Sequence, residues 1–401
     1  MALYETKNQQ QYLIMSNKIK LKFIAFTNAE QPVFDQIKSK LDAIHSLNYE
    51  ATEEDFDALF FVSGGSEQFA ISSLVKDSIN LLIAGKENNA WAAATEVKAW
   101  ANQNGFEAVM IPANDLSNSK NLEQYIHIKR SFDRLKGQRL GLIGEVSDWL
   151  VASSVSQSGM MEKFGIELIN LRYDQLQDYL EFPEDEQMGA LFPSFSAQQS
   201  ALASVSSFLK DTVKQNRLDA LTIQCFRMVR EKEITACLPV ALMNYNGIPA
   251  GCEGDLVSII SIMFLKETLG QIAWMANVAS VDKSSILLAH CTAPLQLAGS
   301  FEIKTHYETD LSAAICADLD MEEVTIFRMN SELSKAFIAE GVVLAKPEHP
   351  WACRTQLVVG LKEEDIVKLK NNPLGNHHLV VGGHQSALLK RAMQLKGVLC
   401  I

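Results

Sequence analysis

The sequence predicts an α/β chain: two three-layer sandwiches, each with helices on both faces of a parallel sheet, followed by a smaller β-rich, barrel-like C-terminal domain. Three observations predict it. Short apolar runs alternate with amphipathic stretches through the first half of the chain, the alternation restarts after Lys136-Gly137, and beyond residue 246 short strands follow one another without long helices between them. At 401 residues the chain exceeds the size at which one hydrophobic core keeps growing, so several domains are expected. The boundaries read from these changes are 1–136, 137–245 and 246–401.

In the first domain Lys20-Leu21-Lys22-Phe23-Ile24-Ala25-Phe26 reads as a strand, with a helix over Gln31 to Leu47 behind it. Ala58 to Val62, Asn80 to Ala84 and Ala108 to Ile111 follow as short apolar runs, separated by amphipathic stretches such as 90–103. Buried strands alternating with helices make a parallel sheet covered on both faces, a Rossmann-like arrangement. Ser63-Gly64-Gly65-Ser66 and Gly85-Lys86-Glu87-Asn88-Asn89 come directly after two of the strands, where such sheets place ligand-contacting loops. Neither has the spacing of a dinucleotide fingerprint, so both are read as glycine turns.

The second Rossmann-like domain opens with Arg139-Leu140-Gly141-Leu142-Ile143-Gly144. Ser147 reads as the N-cap of a helix running into 150–163, Ile166 to Leu171 as the next strand, 196–214 as a helix and Ala220 to Gln224 as a later strand. In the third domain a helix from Asp255 to Thr268 precedes strands at 286–288, 312–315, 324–327, 356–359 and 379–381, which suggest an antiparallel sheet or small barrel.

Composition narrows the function classes. Hydrophobic residues make up 47% and charged residues 21%, as in ordinary globular proteins. The formal charge of −12, with no basic run, argues against nucleic acid as a partner. The longest apolar stretch, Leu256 to Leu265, is too short and too polar to span a bilayer, so no membrane association is expected. Met1 to Asn17 is polar and lacks the apolar core of a signal peptide, which leads to the expectation of a cytoplasmic location. The seven cysteines lack the spacing of a zinc knuckle or disulfide framework and read as buried small hydrophobes.

The chemistry concentrates in the C-terminal third. Ala250-Gly251-Cys252-Glu253-Gly254-Asp255 carries two carboxylates among glycines that would let a substrate or metal approach the backbone closely. Six of the eight histidines follow residue 253. Imidazole together with carboxylate is the ligand mix for manganese, iron or zinc. Asp255, at a predicted helix start, can equally serve as a cap. Glu253, preceded by apolar residues, is expected to be partly buried, and a buried carboxylate needs a metal or an arginine as partner.

Several short segments carry a resemblance. They are Thr222-Ile223-Gln224-Cys225-Phe226, Asn244 to Asp255, Met275-Ala276-Asn277, Ala289-His290-Cys291-Thr292-Ala293-Pro294, Thr305-His306-Tyr307-Glu308, Cys353-Arg354-Thr355-Gln356 and Gly375-Asn376-His377-His378, with the Ser147-Asp148-Trp149-Leu150 turn. Together they resemble the L-fucose isomerase and L-arabinose isomerase superfamily, especially its shorter L-fucose isomerase-like branch, over roughly 138–384. The resemblance implies metal-dependent interconversion of an aldose and a ketose, typically with Mn²⁺, in a homo-oligomer, a trimer or hexamer with active sites near subunit contacts.

Position by position, Glu253 is similar to the family's glutamate that binds metal and moves the proton between C1 and C2 of the open-chain sugar. His377 resembles the C-terminal metal-binding histidine, with His378 able to exchange roles with it, and His290 falls at a ligand histidine of the arabinose isomerase side. Gln224 and Asn376 resemble substrate contacts. Asn277 stands where fucose isomerases have an aspartate that is both ligand and second catalytic group, and an amide exchanges no proton near neutral pH. Asp255, His290 and His306 are the candidates to replace it, while Asn277 and His306 are also expected at the substrate. Arg354 or Lys304 can add positive charge there or form surface salt bridges.

Two other classes compete with a sugar isomerase: a catalytically silent sugar-binding or regulatory paralogue, suggested by Asn277, and a periplasmic-type sugar receptor, suggested by tandem α/β domains. The sequence leaves the sugar unnamed, because specificity resides in loops and hydroxyl contacts.

Overall fold

The computed structural model describes residues 18–26, 31–42, 47–114, 119–193 and 198–401, and the polar leader Met1 to Asn17 lies outside them. The chain divides into two compact units, one of residues 1–134 with 268–270 and one of residues 135–267 with 271–401.

In the first unit, β1 (Ile19–Ile24), β2 (Tyr49–Ala51), β3 (Ala58–Phe61), β4 (Asn80–Ala84) and β5 (Ala108–Pro112) form a parallel sheet in the order β2-β1-β3-β4-β5. Every residue of β3 and β4 is buried, which is why these strands read as continuous apolar runs rather than alternating ones. The helix Ala90–Gln103 buries Ala93, Ala94, Val97 and Ala101, the three- and four-residue spacing of a single helical face.

The second unit contains a four-stranded parallel sheet and a barrel. β6 (Arg139–Ile143), β7 (Glu167–Leu171), β8 (Ala220–Ile223) and β9 (Ala250–Cys252) lie in the order β7-β6-β8-β9. β9 is only three residues long, and Asn244 pins it by donating to the Ala250 carbonyl and accepting its N–H at 2.9 and 2.8 Å. The apolar stretch at 256–265 forms most of a helix, Leu256–Leu269, that is buried on nearly all sides. Its Phe264 packs between Phe164 and the barrel residue Phe327, at 6.3 and 5.7 Å between ring centroids. That burial explains the run of apolar residues, and among the described residues no helix is long and apolar enough to cross a membrane.

Six antiparallel strands close into the barrel: β10 (Trp274–Val281), β11 (Ser285–His290), β14 (Glu323–Met329), β15 (Lys335–Ala345), β16 (Thr355–Gly360) and β17 (His377–Gly382). The ring runs β14-β17-β10-β11-β16-β15 and closes through a β14–β15 pairing. β12 (Ala298–Lys304) and β13 (Ala314–Leu319) make a separate two-stranded ribbon, and β18 (Leu399–Cys400) adds to β15. One hydrophobic core continues from Leu221 and Ile223 of the parallel sheet to Trp274, Leu288, Ile326 and Val380 of the barrel.

The mixed α/β character and the barrel-like third part are as expected. Two details differ. Helices at Glu363–Asn371 and Ser386–Leu395 interrupt the run of C-terminal strands. Ser147 caps no helix: the following helix is Gln157–Phe164, capped by Ser156, whose Oγ accepts the Gly159 N–H. The residues from 144 to 150 form instead a loop bound to the Glu253 turn, with the Ser147 N–H donating to the Glu253 carbonyl at 3.0 Å.

Candidate metal centre

The C-terminal edge of a parallel sheet is where α/β folds gather ligand-contacting loops. Here β9 ends at Cys252 and the chain turns at once through Glu253 and Gly254, both with positive φ, 63° and 69°. The turn aims the Glu253 side chain at one rim of the barrel. His290 is the last residue of β11 and His377 the first of β17, and antiparallel pairing brings those two ends to the same rim, with Asn277 of β10 paired directly to His377.

The result is a buried group of two imidazoles and one carboxylate. Ligand atoms of Glu253, His290 and His377 all lie within 4.8 Å of one another, and the group can hold a metal ion. Glu253 Oε1 is 3.5 Å from His377 Nε2 and 3.9 Å from His290 Nε2, ion-pair distances rather than hydrogen bonds. His377 Nε2 is buried and has no hydrogen-bond partner. Leaving such a nitrogen unsatisfied costs about 1–3 kcal/mol, which a cation between the three side chains would offset. Two histidines and a glutamate suit several divalent ions, zinc, manganese and iron among them.

His377 is held from behind. Its Nδ1 lies 2.9 Å from Asp255 Oδ2, while Asp255 Oδ1 accepts the Ser258 N–H at 2.8 Å and so caps the buried helix. Arg328 of β14, fully buried, bonds Asp255 Oδ2, Ser258 Oγ, Ser153 Oγ and the Ala152 carbonyl. A carboxylate on the far nitrogen of a ligating imidazole fixes its tautomer and raises its basicity. Burial opposes the charge on Asp255, but Arg328 and His377 outweigh it and lower its pKa to about 2. Burial likewise opposes a charged His377, yet the bond to Asp255 and the pull of Glu253 raise it to about 9. Glu253 is desolvated too, and the two imidazoles hold it well below the usual carboxylate range. Burial pushes His290 down. These shifts belong to the metal-free group.

In front of the centre lies a cavity of about 20 Å³, room for about one water molecule, lined by Glu253, His290, Asn277, Phe226, His306 and Glu308. Cys225, Cys237, Cys252, Cys291 and Cys353 complete its wall, so five of the seven cysteines are indeed small buried residues, gathered in one place. His306 Nδ1 bonds Thr309 Oγ1 at 3.0 Å, and its Nε2 faces Glu308 Oε2 at 3.5 Å. Burial and the neighbouring His290 lower His306 to about 4, whereas partial desolvation and the charge of Glu253 raise Glu308.

The other expected site residues have distinct places. Asp255 lies behind His377, bonded to it and to Arg328, is not among the residues lining the cavity, and caps the buried helix, one of the two roles read for it in the sequence. Of the two adjacent histidines, His377 points to Glu253, while His378 faces the opposite side of the strand and packs edge-on against Phe337. Asn376 donates to Asn277 Oδ1 at the rim. Gln224 accepts the Glu145 N–H at 3.3 Å and rests against Gly144, so it supports the 144–150 loop. Arg354 donates to the carbonyl and Oγ1 of Thr305 at 2.7 and 3.0 Å and braces the segment bearing His306 and Glu308. Lys304 pairs with Glu348 at 2.5 Å, a surface contact. Sequence reasoning missed Arg328, a charge in a strand whose other residues after Glu323 are buried and mostly apolar. It also gave no role to Glu308 or Trp149, although both stand in segments it singled out.

No family model matches the chain, and no curated protein matches it.

Proposed function

We propose that the protein is a metal-dependent aldose-ketose isomerase acting on a fucose- or arabinose-like monosaccharide, with Mn²⁺ as its ion. The buried Glu253-His290-His377 group carries this reading, and the resemblance of the segments around these residues to the L-fucose isomerase-like branch supports it; a sugar reaches the group only when the water-sized cavity beside it widens. Two Rossmann-like domains and assembly as a trimer or hexamer belong to the same reading.

Isomerisation moves the C2 proton of the aldose to C1 and the O2 proton to O1. Glu253, ionised and at the cavity wall, takes the carbon-bound proton and returns it one carbon away. The His306-Glu308 pair, across the same cavity, is placed to carry the oxygen-bound proton, the task Asn277 cannot perform. Asn277 and Asn376 offer amides to sugar hydroxyls. Glu253, His290 and His377 would hold a divalent ion, which would supply Lewis-acid stabilisation of negative charge developing on the sugar oxygens.

Asn277 favours a second reading, a sugar-binding protein that retains the ion without turnover. Both are tested by loading the chain with Mn²⁺ and following deuterium exchange at C1 and C2 of a panel of aldoses and ketoses by NMR. Exchange should occur with at least one sugar, vanish in Glu253→Gln with the fold intact, and slow by about 10²- to 10⁴-fold in Glu308→Gln. A bound ion without exchange for any sugar would support the binding protein, and absence of both would sink the isomerase.

A further inference from the structure

Glu253 has two carboxylate oxygens, and they face different partners. Oε1 points to the two imidazoles, while Oε2 accepts the indole N–H of Trp149 at 2.6 Å, a short bond to a charged acceptor. Trp149 is 50% exposed, so burial of its ring does not explain its position.

The loop that carries it is fastened to the Glu253 turn itself. The Ser147 N–H donates to the Glu253 carbonyl at 3.0 Å, and a Cβ on Gly254 would stand 2.3 Å from the Glu145 carbonyl oxygen. On its other side the Trp149 ring meets Phe226 edge-on, with centroids 4.9 Å apart. The indole is thus held between the parallel sheet's edge and the cavity wall, with its single donor aimed at the one carboxylate oxygen that the histidines leave free.

We propose that Trp149 is a positioning residue of the metal centre. By bonding one lone pair of Oε2 it leaves Oε1 as the oxygen of Glu253 offered to an ion, and so sets one-oxygen ligation and the orientation of the carboxylate, while the second lone pair of Oε2 stays open to a proton. The inference rests on the metal-centre reading but not on isomerase activity. Without the N–H, the Glu253 side chain turns freely and can offer both oxygens to the ion, which changes the coordination number as well as the affinity.

Mn²⁺ titration of the full chain by calorimetry, together with the visible absorption of the Co²⁺-loaded protein, tests it on the wild type, Trp149→Phe and Trp149→Ala. Phenylalanine keeps a ring against Phe226 and removes only the donor. Both variants should bind Mn²⁺ about 10- to 100-fold more weakly, the usual loss for a partner that orients a ligand. Both should also show weaker Co²⁺ bands as the coordination number rises. Wild-type affinity and spectrum in Trp149→Phe would overturn the proposal, including the case in which only Trp149→Ala is impaired, since ring packing would then be the cause. A wild-type chain that takes up neither ion removes the metal centre and the role of Trp149 with it.

Discussion

Glu253 reaches the barrel rim because two consecutive residues adopt left-handed backbone, and only the second is a glycine. The glycines flanking it suggest an approach by substrate or metal, yet at Gly254 the space is taken by the chain's own Glu145 and Val146 backbone, 2.3 and 2.9 Å from where a Cβ would lie. Gly254→Ala therefore combines a φ of 69° with a backbone collision. Strain of this kind costs about 1–3 kcal/mol. The collision also pushes the 144–150 loop off the turn. A lower urea midpoint should accompany a change in the contribution of Trp149, one of five tryptophans, to the emission of the folded chain, and an unchanged midpoint would show that the loop is not clasped. The sequence marks this position as glycine without telling which group crowds it, since Glu145 is more than a hundred residues away along the chain.

At the scale of elements, strand alternation decides what adjacency in sequence leaves open. His377 and His378 are chemically equivalent in sequence, but neighbouring residues of a strand point to opposite faces. β17 presents His377 to Glu253 and His378 to Phe337. His377→Ala should weaken Mn²⁺ binding by more than the about 10- to 100-fold that loss of an outer partner costs. His378→Ala should keep the ion and instead lose about 3 kcal/mol of stability from the void it leaves. Equal loss of binding in both, by equilibrium dialysis, would contradict the assignment. The short, mostly apolar strands were legible because burial along their whole length leaves a run that composition reveals, as in β3, β4 and β8, where Asn80 and Thr222 are the only polar residues. The barrel was less so. β15 mixes Lys335 and Glu340 into an apolar run and pairs with different strands along its length, and β14 contains the buried Arg328. That charge makes sense only with Asp255, whose position a β-strand pattern cannot reveal.

At the scale of the whole molecule, every residue of the candidate centre, its support and its cavity belongs to the second compact unit, although the three that can hold an ion stand at 253, 290 and 377. Local sequence reading could name such residues but not bring them together, because a strand closure and a sheet edge do so. The division has a measurable consequence. An ion that binds only the folded centre stabilises it by about 2.7 kcal/mol at a hundredfold excess over its Kd. Exchange through opening of that unit then slows by roughly a hundredfold, since each 1.4 kcal/mol is a factor of ten in the opening equilibrium. Hydrogen exchange followed by mass spectrometry with and without Mn²⁺ should show this slowing in β9, β11 and β17. The strands β3, β4 and β5, which lie in the first unit and supply no ligand, should exchange as before. Protection confined to β3–β5 would move the ion to the first unit, and protection spread evenly over both would tie the centre to the folding of the entire chain.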